Sequence, residues 1–276
     1  ARPGGMPHGE QLAPHVARQV VDEAGPRRIS VRTTLNAGLQ RFAVAALRQQ
    51  LSQLEGRNVE DGAVVVLDNK TGDVLAWVGG SGSLSQAPQV DHVTARRQPG
   101  STLKPFVYQL AFEQRFITPA TLLDDSPAQI GTAAGLYMPQ NYDHRFKGWI
   151  SARAALAASI NVPAVRVGAM LGPDALFARL NALGLALPES GGYYGASLAL
   201  GSADVRLLDL TNAYRAFANG GVVSPERLGG DEPRIAPRRA AGAAAGGLVT
   251  DILADNNARA LTFGIDSVLA TRGFAA

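Results

Sequence analysis

Residues 97–106 read RQPGSTLKPF, and the placement of Ser101 three residues before Lys104 decides how the rest of the chain is read. Gly100 permits a close backbone approach, and Pro105 has the fixed φ of a first helical turn, so the run predicts a helix entered at Ser101 and continuing to about Phe116. Residues three apart on a helix share a face, which would set a hydroxyl beside an amine as a nucleophile stands beside its base. The continuation FVYQLAF is too apolar for a surface helix. It predicts that the helix is buried and that Lys104 opens into a sheltered cleft.

Composition gives the pairing weight. The 276 residues carry 26 Lys+Arg, yet only Lys70, Lys104 and Lys147 are lysines. A guanidinium keeps its proton at any working pH, whereas an ammonium can release it, so a lysine is the only cation here that can become a base. The ordinary reading of such a serine is an N-cap, and of such a lysine a solvated first-turn cation. The glycine, the proline and the apolar run that follows argue against it. A second polar pair, Ser159 and Asn161, interrupts a hydrophobic helical region, so its polar groups need partners in a cleft. Lys104 is an available partner.

With 46% hydrophobic and 18% charged residues the chain can bury a large core as one domain with a leading tail. The net charge of +3 is spread over scattered arginines without an aromatic stripe, which argues against nucleic-acid binding. No cysteine is present, and His8, His15, His92 and His144 are too far apart in sequence for a ligand set, so neither a metal nor a cofactor is implied. Absence of cysteine fits an extracytoplasmic protein. No apolar run approaches the length of a membrane span, so a membrane anchor is expected only outside this sequence.

Residues 1–27 read as a linker containing the short amphipathic stretch HVARQVVDEA. A strand is predicted at 28–36 from the alternation of Ile29, Val31 and Thr33, and a helix at 37–54. GAVVVLD, NKTG and DVLAWVGG predict a hairpin over 62–80. Its turn spells KTG at Lys70–Gly72, with the lysine facing water. Residues 117–148 read as a long irregular stretch of functional loop. Ser151 is placed to N-cap a helix, Pro163 to start another, and further helices are predicted at 172–185 and 207–221, each closed by glycine. Residues 229–247 read as flexible low complexity, with helix resuming near Leu248.

SxxK followed by SxN resembles the penicillin-binding proteins and serine β-lactamases. The longer runs VVLDNKTGDVLAWVGG, RRQPGSTLKPFVYQLAFE, PQNYDHRFKGWISARAALAASINVPAVRV and LALGSADVRLLDLTNAYRAFANGG resemble the transpeptidase domain of bifunctional class A penicillin-binding proteins, most nearly its 1C subgroup. The likeness covers residues 28–276, and residues 1–27 resemble the join to a glycosyltransferase domain absent from this sequence. It implies an α/β fold: an antiparallel sheet with helices on both faces, plus an all-helical subdomain over 151–221 that brings Ser159 and Asn161 to the helix of Ser101. It also implies a third motif, a cleft-lining KTG strand just beyond Ala276, so the domain is expected to be C-terminally incomplete.

The activity implied is D,D-transpeptidation of peptidoglycan stem peptides in the periplasm, with acylation by β-lactams. Ser101 would be the nucleophile, Lys104 its base, Ser159 a proton relay, and Asn161 the residue that orients Lys104 and the substrate amide. Lowering a lysine pKa from about 10.4 to about 7–8 costs about 3–4.5 kcal/mol, and burial and a helix N-terminus both act in that direction. A D,D-carboxypeptidase or a β-lactamase would share the first two motifs. The β-lactamase needs a carboxylate for deacylation, for which Glu189 is the candidate, with Tyr193 where an Asn is usual. A non-catalytic sensor or scaffold is the remaining class.

Overall fold

The computed structural model describes residues 11–24, 30–132 and 135–269. The first ten residues of the linker, the start of the predicted strand at 28–29 and the closing TRGFAA lie outside the described residues. The chain forms two compact units, residues 1–95 with 225–236, and residues 96–224 with 237–276.

In the first unit, helices α1 (Pro14–Ala24) and α2 (Ala37–Gln53) accompany a hairpin of β1 (Val64–Leu67) and β2 (Val74–Val78). Asn36 caps α2 by accepting the Leu39 N–H at 2.9 Å. The strands pair antiparallel, Val64 with Val78 and Val66 with Ala76. Ala76 and Val78 pack on Ala43 of α2, with Leu39, Leu47, Val64 and Val66 around them. Gln40 of α2, fully buried, reaches the open edge of β2, where its Oε1 accepts the Trp77 N–H at 2.7 Å and its Nε2 donates to the Trp77 carbonyl at 2.8 Å. One side chain thus satisfies two main-chain groups that a further strand would otherwise pair. Asp68 accepts the Thr71 N–H, Gly72 adopts φ +78°, and Lys70 is exposed, as expected of a polar turn.

The strand expected at 28–36 is not formed over its described part. Thr33 makes a single antiparallel bridge to Gly229, with Thr34 N–H donating to Leu228 O and Gly230 N–H to Arg32 O. The segment it pairs with turns away at once, because Glu232 folds back to accept the N–H groups of Leu228 and Gly229. Alternating side chains favour extended backbone, but a ladder also needs a partner that stays straight.

The second unit is mainly helical. After a 3₁₀ turn at Gly100–Leu103 comes α3 (Lys104–Glu113), in which every residue from Lys104 to Phe112 is buried. Such a helix is surrounded on all sides. It is followed by β3 (Leu122–Asp125), β4 (Ile130–Thr132), β5 (Gly135–Tyr137), β6 (Gly148–Ser151), α4 (Ala152–Ala157), α5 (Asn161–Leu171), α6 (Pro173–Ala182), α7 (Leu207–Ala218), α8 (Ala243–Ala254) and α9 (Asn256–Phe263), with short helical turns between α6 and α7. Leu103, Phe106, Val107, Leu176, Leu198, Val249 and Ile252 belong to one core.

Two expectations are corrected here. The stretch 117–148 is structured: β3 pairs antiparallel with β6 in continuous register, Leu122 to Ser151 through Asp125 to Gly148, and β4 pairs with β5. Residues 229–247 carry regular structure in part, with Arg238–Arg239 pairing Val222–Val223 and α8 beginning at Ala243 rather than Leu248. Alanine has the highest helix propensity, and its small side chain lets α8 lie close to α3, where Gly246 faces the Gln109 amide and Phe217.

Candidate active site

Ser101 does not lie on the α-helix. It sits in the 3₁₀ turn, whose Ser101 carbonyl accepts the Lys104 N–H, and the α-helix begins at Lys104. A 3₁₀ turn has three residues per turn, so side chains at i and i+3 eclipse and the serine and lysine project in line. Ser101 is exposed, whereas Lys104 is 1% exposed.

The turn is clamped from outside. Gly201 adopts φ +79° directly over Gly100, whose N–H donates to Gly201 O at 3.4 Å. A Cβ on Gly201 would fall 2.5 Å from Gly100 N and closer still to Gly100 O. From α7 the Tyr214 hydroxyl donates to Thr102 O at 2.6 Å, and its ring packs edge-on against Phe106 with centroids 5.0 Å apart. Burial raises the Tyr214 hydroxyl pKa, keeping it a donor.

Lys104 Nζ lies 2.5 Å from Ser159 O, 2.6 Å from Asn161 Oδ1 and 3.1 Å from Ser159 Oγ. Burial pulls its pKa from 10.5 down to about 7. A neutral amine has two N–H groups and one lone pair. The carbonyl and the amide oxygen can only accept and so engage the two N–H groups, leaving the lone pair for a hydroxyl. The structure therefore brings Lys104, Ser159 and Asn161 into direct contact. Among the described residues no hydrogen bond joins Ser101 Oγ to Lys104.

Ser159 owes its position to the end of α4. Ser151 caps that helix at its start, and at its end Ser159 takes φ +55° while its N–H donates to Leu156 O and that of Ile160 to Ala155 O. This is a Schellman ending with serine where glycine is usual. It aims both the carbonyl and the hydroxyl of Ser159 at the lysine.

Asn161 opens α5, whose N-cap residue, Ile160, has no polar side chain. The residues that hold Asn161 are ones sequence reasoning missed. Asn141 Oδ1 accepts the N–H groups of Asn161 at 3.1 Å and Val162 at 3.2 Å, and Gln140 O accepts Asn161 Nδ2 at 2.9 Å. Asn141 is held in turn by Asp125, whose carboxylate oxygens each lie 2.9 Å from Asn141 Nδ2, and by Arg145 O at 2.8 Å. Asp125 also accepts the Lys147 N–H at 2.7 Å. The polar run QNYD at 140–143, inside the stretch 117–148 punctuated by proline and glycine, was the only signal in the sequence. Glu189 is exposed on the loop after α6.

No group of His, Asp and Glu side chains able to hold a metal occurs among the described residues. No helix among them is long and apolar enough to cross a membrane.

The family profile described as the penicillin binding protein transpeptidase domain matches residues 62–245, and the chain belongs to that family. Its α/β architecture is that of the family. Among relatives, it is 38% identical to penicillin-binding protein 1C of Escherichia coli over 249 residues, 89% of this chain and 31% of that protein. It is 33% identical to penicillin-binding protein 2D of Bacillus subtilis over 75% of this chain and 29% of that one. The chain thus spans about a third of the length of these relatives. Among solved structures, PonA1 of Mycobacterium tuberculosis superposes with a TM-score of 0.69 at 23% identity, covering 88% of this chain and 69% of that one. PonA1 in complex with penicillin V gives 0.68 at 24% identity, covering 88% and 69%.

Proposed function

We propose that this domain is a peptidoglycan D,D-transpeptidase working through an acyl-Ser101 intermediate on the extracytoplasmic face of the bacterial inner membrane, within a longer class A penicillin-binding protein. The observation that carries the reading is a fully buried lysine, its amine fixed by Ser159 and Asn161, one 3₁₀ turn from an exposed serine.

In the first half-reaction Ser101 Oγ bonds to the carbonyl carbon of a D-alanyl-D-alanine stem peptide while its proton passes to Lys104 Nζ. The C–N bond to the terminal D-alanine breaks, and that nitrogen takes the proton through Ser159 Oγ. In the second, the amine of another stem peptide attacks the ester carbonyl, a new amide forms, and Ser101 Oγ leaves with a returned proton. Asn161 orients Lys104 and the substrate amide. The Ser101 N–H is one oxyanion donor. β-Lactams acylate the same serine.

The family's third motif is matched in this chain only by Lys70–Gly72, on an exposed hairpin turn. The test is a fluorescent penicillin with peptide mapping of the adduct. Labelling of the full-length product at Ser101, lost in Lys104→Ala, is the expected result. Labelling elsewhere, or labelling that survives Lys104→Ala, would contradict the proposal.

A further inference from the structure

The reaction scheme uses Asn161 but does not explain what holds its amide with the oxygen toward Lys104. An asparagine amide rotated by half a turn would present Nδ2 to the lysine instead, donor against donor. We propose that Asn141, anchored on the Asp125 carboxylate, is the positioning residue that fixes Asn161 and, through it, the lysine of the acyl-transfer site. The inference rests on the reading given under the proposed function.

Asn141 is 3% exposed and Asp125 is fully buried, so both must find their partners within the protein. Asp125 ends β3, and its register partner Gly148 begins β6, so the carboxylate is mounted on the only four-residue ladder in the described part of this unit. The carboxylate can only accept, so Asn141 must present its Nδ2, and Arg145 O takes the remaining donor direction. That leaves Asn141 Oδ1 pointing at the start of α5. There it accepts two orphan N–H groups that Ile160 cannot cap, including that of Asn161 itself. The amide of one residue thereby places the backbone of another 20 residues away.

The neighbouring residue completes the grip. Gln140 O accepts Asn161 Nδ2, which selects one of the two orientations of the Asn161 amide and turns its Oδ1 to Lys104. Because Gln140 is bonded to Asn141, anything that frees the Asn141 side chain also loosens the carbonyl that makes this selection. The order of dependence is Asp125, Asn141, the start of α5, Asn161, Lys104. Neither Asp125 nor Asn141 touches the amine, so neither is a catalytic residue.

The experiment compares Asn141→Ala, Asn161→Ala and the double variant in the full-length gene product, resolving penicillin acylation into the pre-equilibrium binding constant and the acylation step. Misplacement of a reacting group by about an ångström costs on the order of 100-fold. Asn141→Ala is therefore expected to slow the acylation step about 10–100-fold, with binding changed less than about threefold. In the Asn161→Ala background the same substitution should slow it less than about threefold further, since coupled positions are not additive. The thermal destabilisation it causes should be the same in both backgrounds. Losses that multiply, or an unchanged acylation step in Asn141→Ala, would overturn the proposal. Should Asn141→Ala fail to fold, Asp125→Asn decides. It keeps the volume, but either orientation of the new amide sets a nitrogen donor 2.9 Å from Asn141 Nδ2, so it should give a smaller loss of the same kind, again absent without Asn161. If the unsubstituted protein is not labelled at Ser101, the acyl-transfer reading fails. The positioning claim is then judged by the crystal structure of Asn141→Ala (or of Asp125→Asn), where Asn161 Oδ1 still within hydrogen-bond distance of Lys104 Nζ would overturn it.

Discussion

Ser159 is held at φ +55°, a conformation that glycine adopts freely and other L-residues do not. Two substitutions separate what its side chain does from what its backbone endures. Ser159→Ala removes the hydroxyl but keeps the Cβ, and Ser159→Gly removes both. In each, Lys104 loses the 3.1 Å contact to Oγ and keeps the Ser159 carbonyl and Asn161 Oδ1. The difference between the two variants is therefore the left-handed strain, about 1–2 kcal/mol, less the extra chain entropy of glycine, about 0.5–1 kcal/mol. Glycine should come out more stable than alanine by about 0.5–1 kcal/mol, or about 1–4 °C in Tm. Both should slow acylation by penicillin about 100–10,000-fold if the hydroxyl relays a proton. Thermal unfolding and labelling kinetics on the same preparations read both effects. A glycine variant no more stable than the alanine variant would refute the strain argument, and a variant of either kind that acylates within tenfold of the parent would refute the relay.

The pKa of Lys104 sits near 7 in the folded chain against about 10.5 when exposed. Between those values the unfolded chain binds a proton that the folded chain lacks, so stability relative to Lys104→Met should rise with pH, at most about 1.4 kcal/mol per unit, and acylation should rise through pH 7. A stability difference between the two that is flat from pH 7 to 10 would contradict the burial of a neutral amine. Gly201→Ala forces a Cβ into the Gly100 backbone and should cost more than about 2 kcal/mol with slowed acylation; unchanged melting and labelling would show the clamp to be unimportant. Tyr214→Phe removes the hydrogen bond to Thr102 O and should cost about 1 kcal/mol. Loss of acylation in that variant beyond its loss of stability would show that the bond holds the turn carrying Ser101; acylation lost only in step with stability would show that it does not.

The parts of this site legible in the sequence are those fixed by local spacing. Ser101 and Lys104 are three residues apart, and Ser159 and Asn161 stand out because polar residues interrupt an apolar run. The start of α4 at its Ser151 cap was legible for the same reason, since a cap acts on a neighbour. What could not be read depends on partners distant in sequence. Asn141 looks like any loop asparagine until Asp125, 16 residues earlier, and the start of α5, 20 residues later, close on it. The alternation around Thr33 promised a strand, but the partner at Gly229 turns away after one bridge. The alanine-rich run before Leu248 read as low complexity, and its small side chains are what allow α8 to approach α3.

The spacing of Ser101 and Lys104 was readable while the geometry it produces was not, and the difference bears on the chemistry. On an α-helix, residues three apart are rotated about 60° from one another, and a short serine and a long lysine would diverge. In the 3₁₀ turn they eclipse, and the turn ends at the lysine, where α3 begins and burial becomes complete. The hydroxyl therefore stays at the surface, while the amine, five bonds from its Cα, is withdrawn from water and its pKa falls to about 7. The switch of helix type between Leu103 and Lys104, held by Gly201 above Gly100 and by Tyr214 on Thr102, is what lets one short segment present an accessible hydroxyl and a desolvated amine.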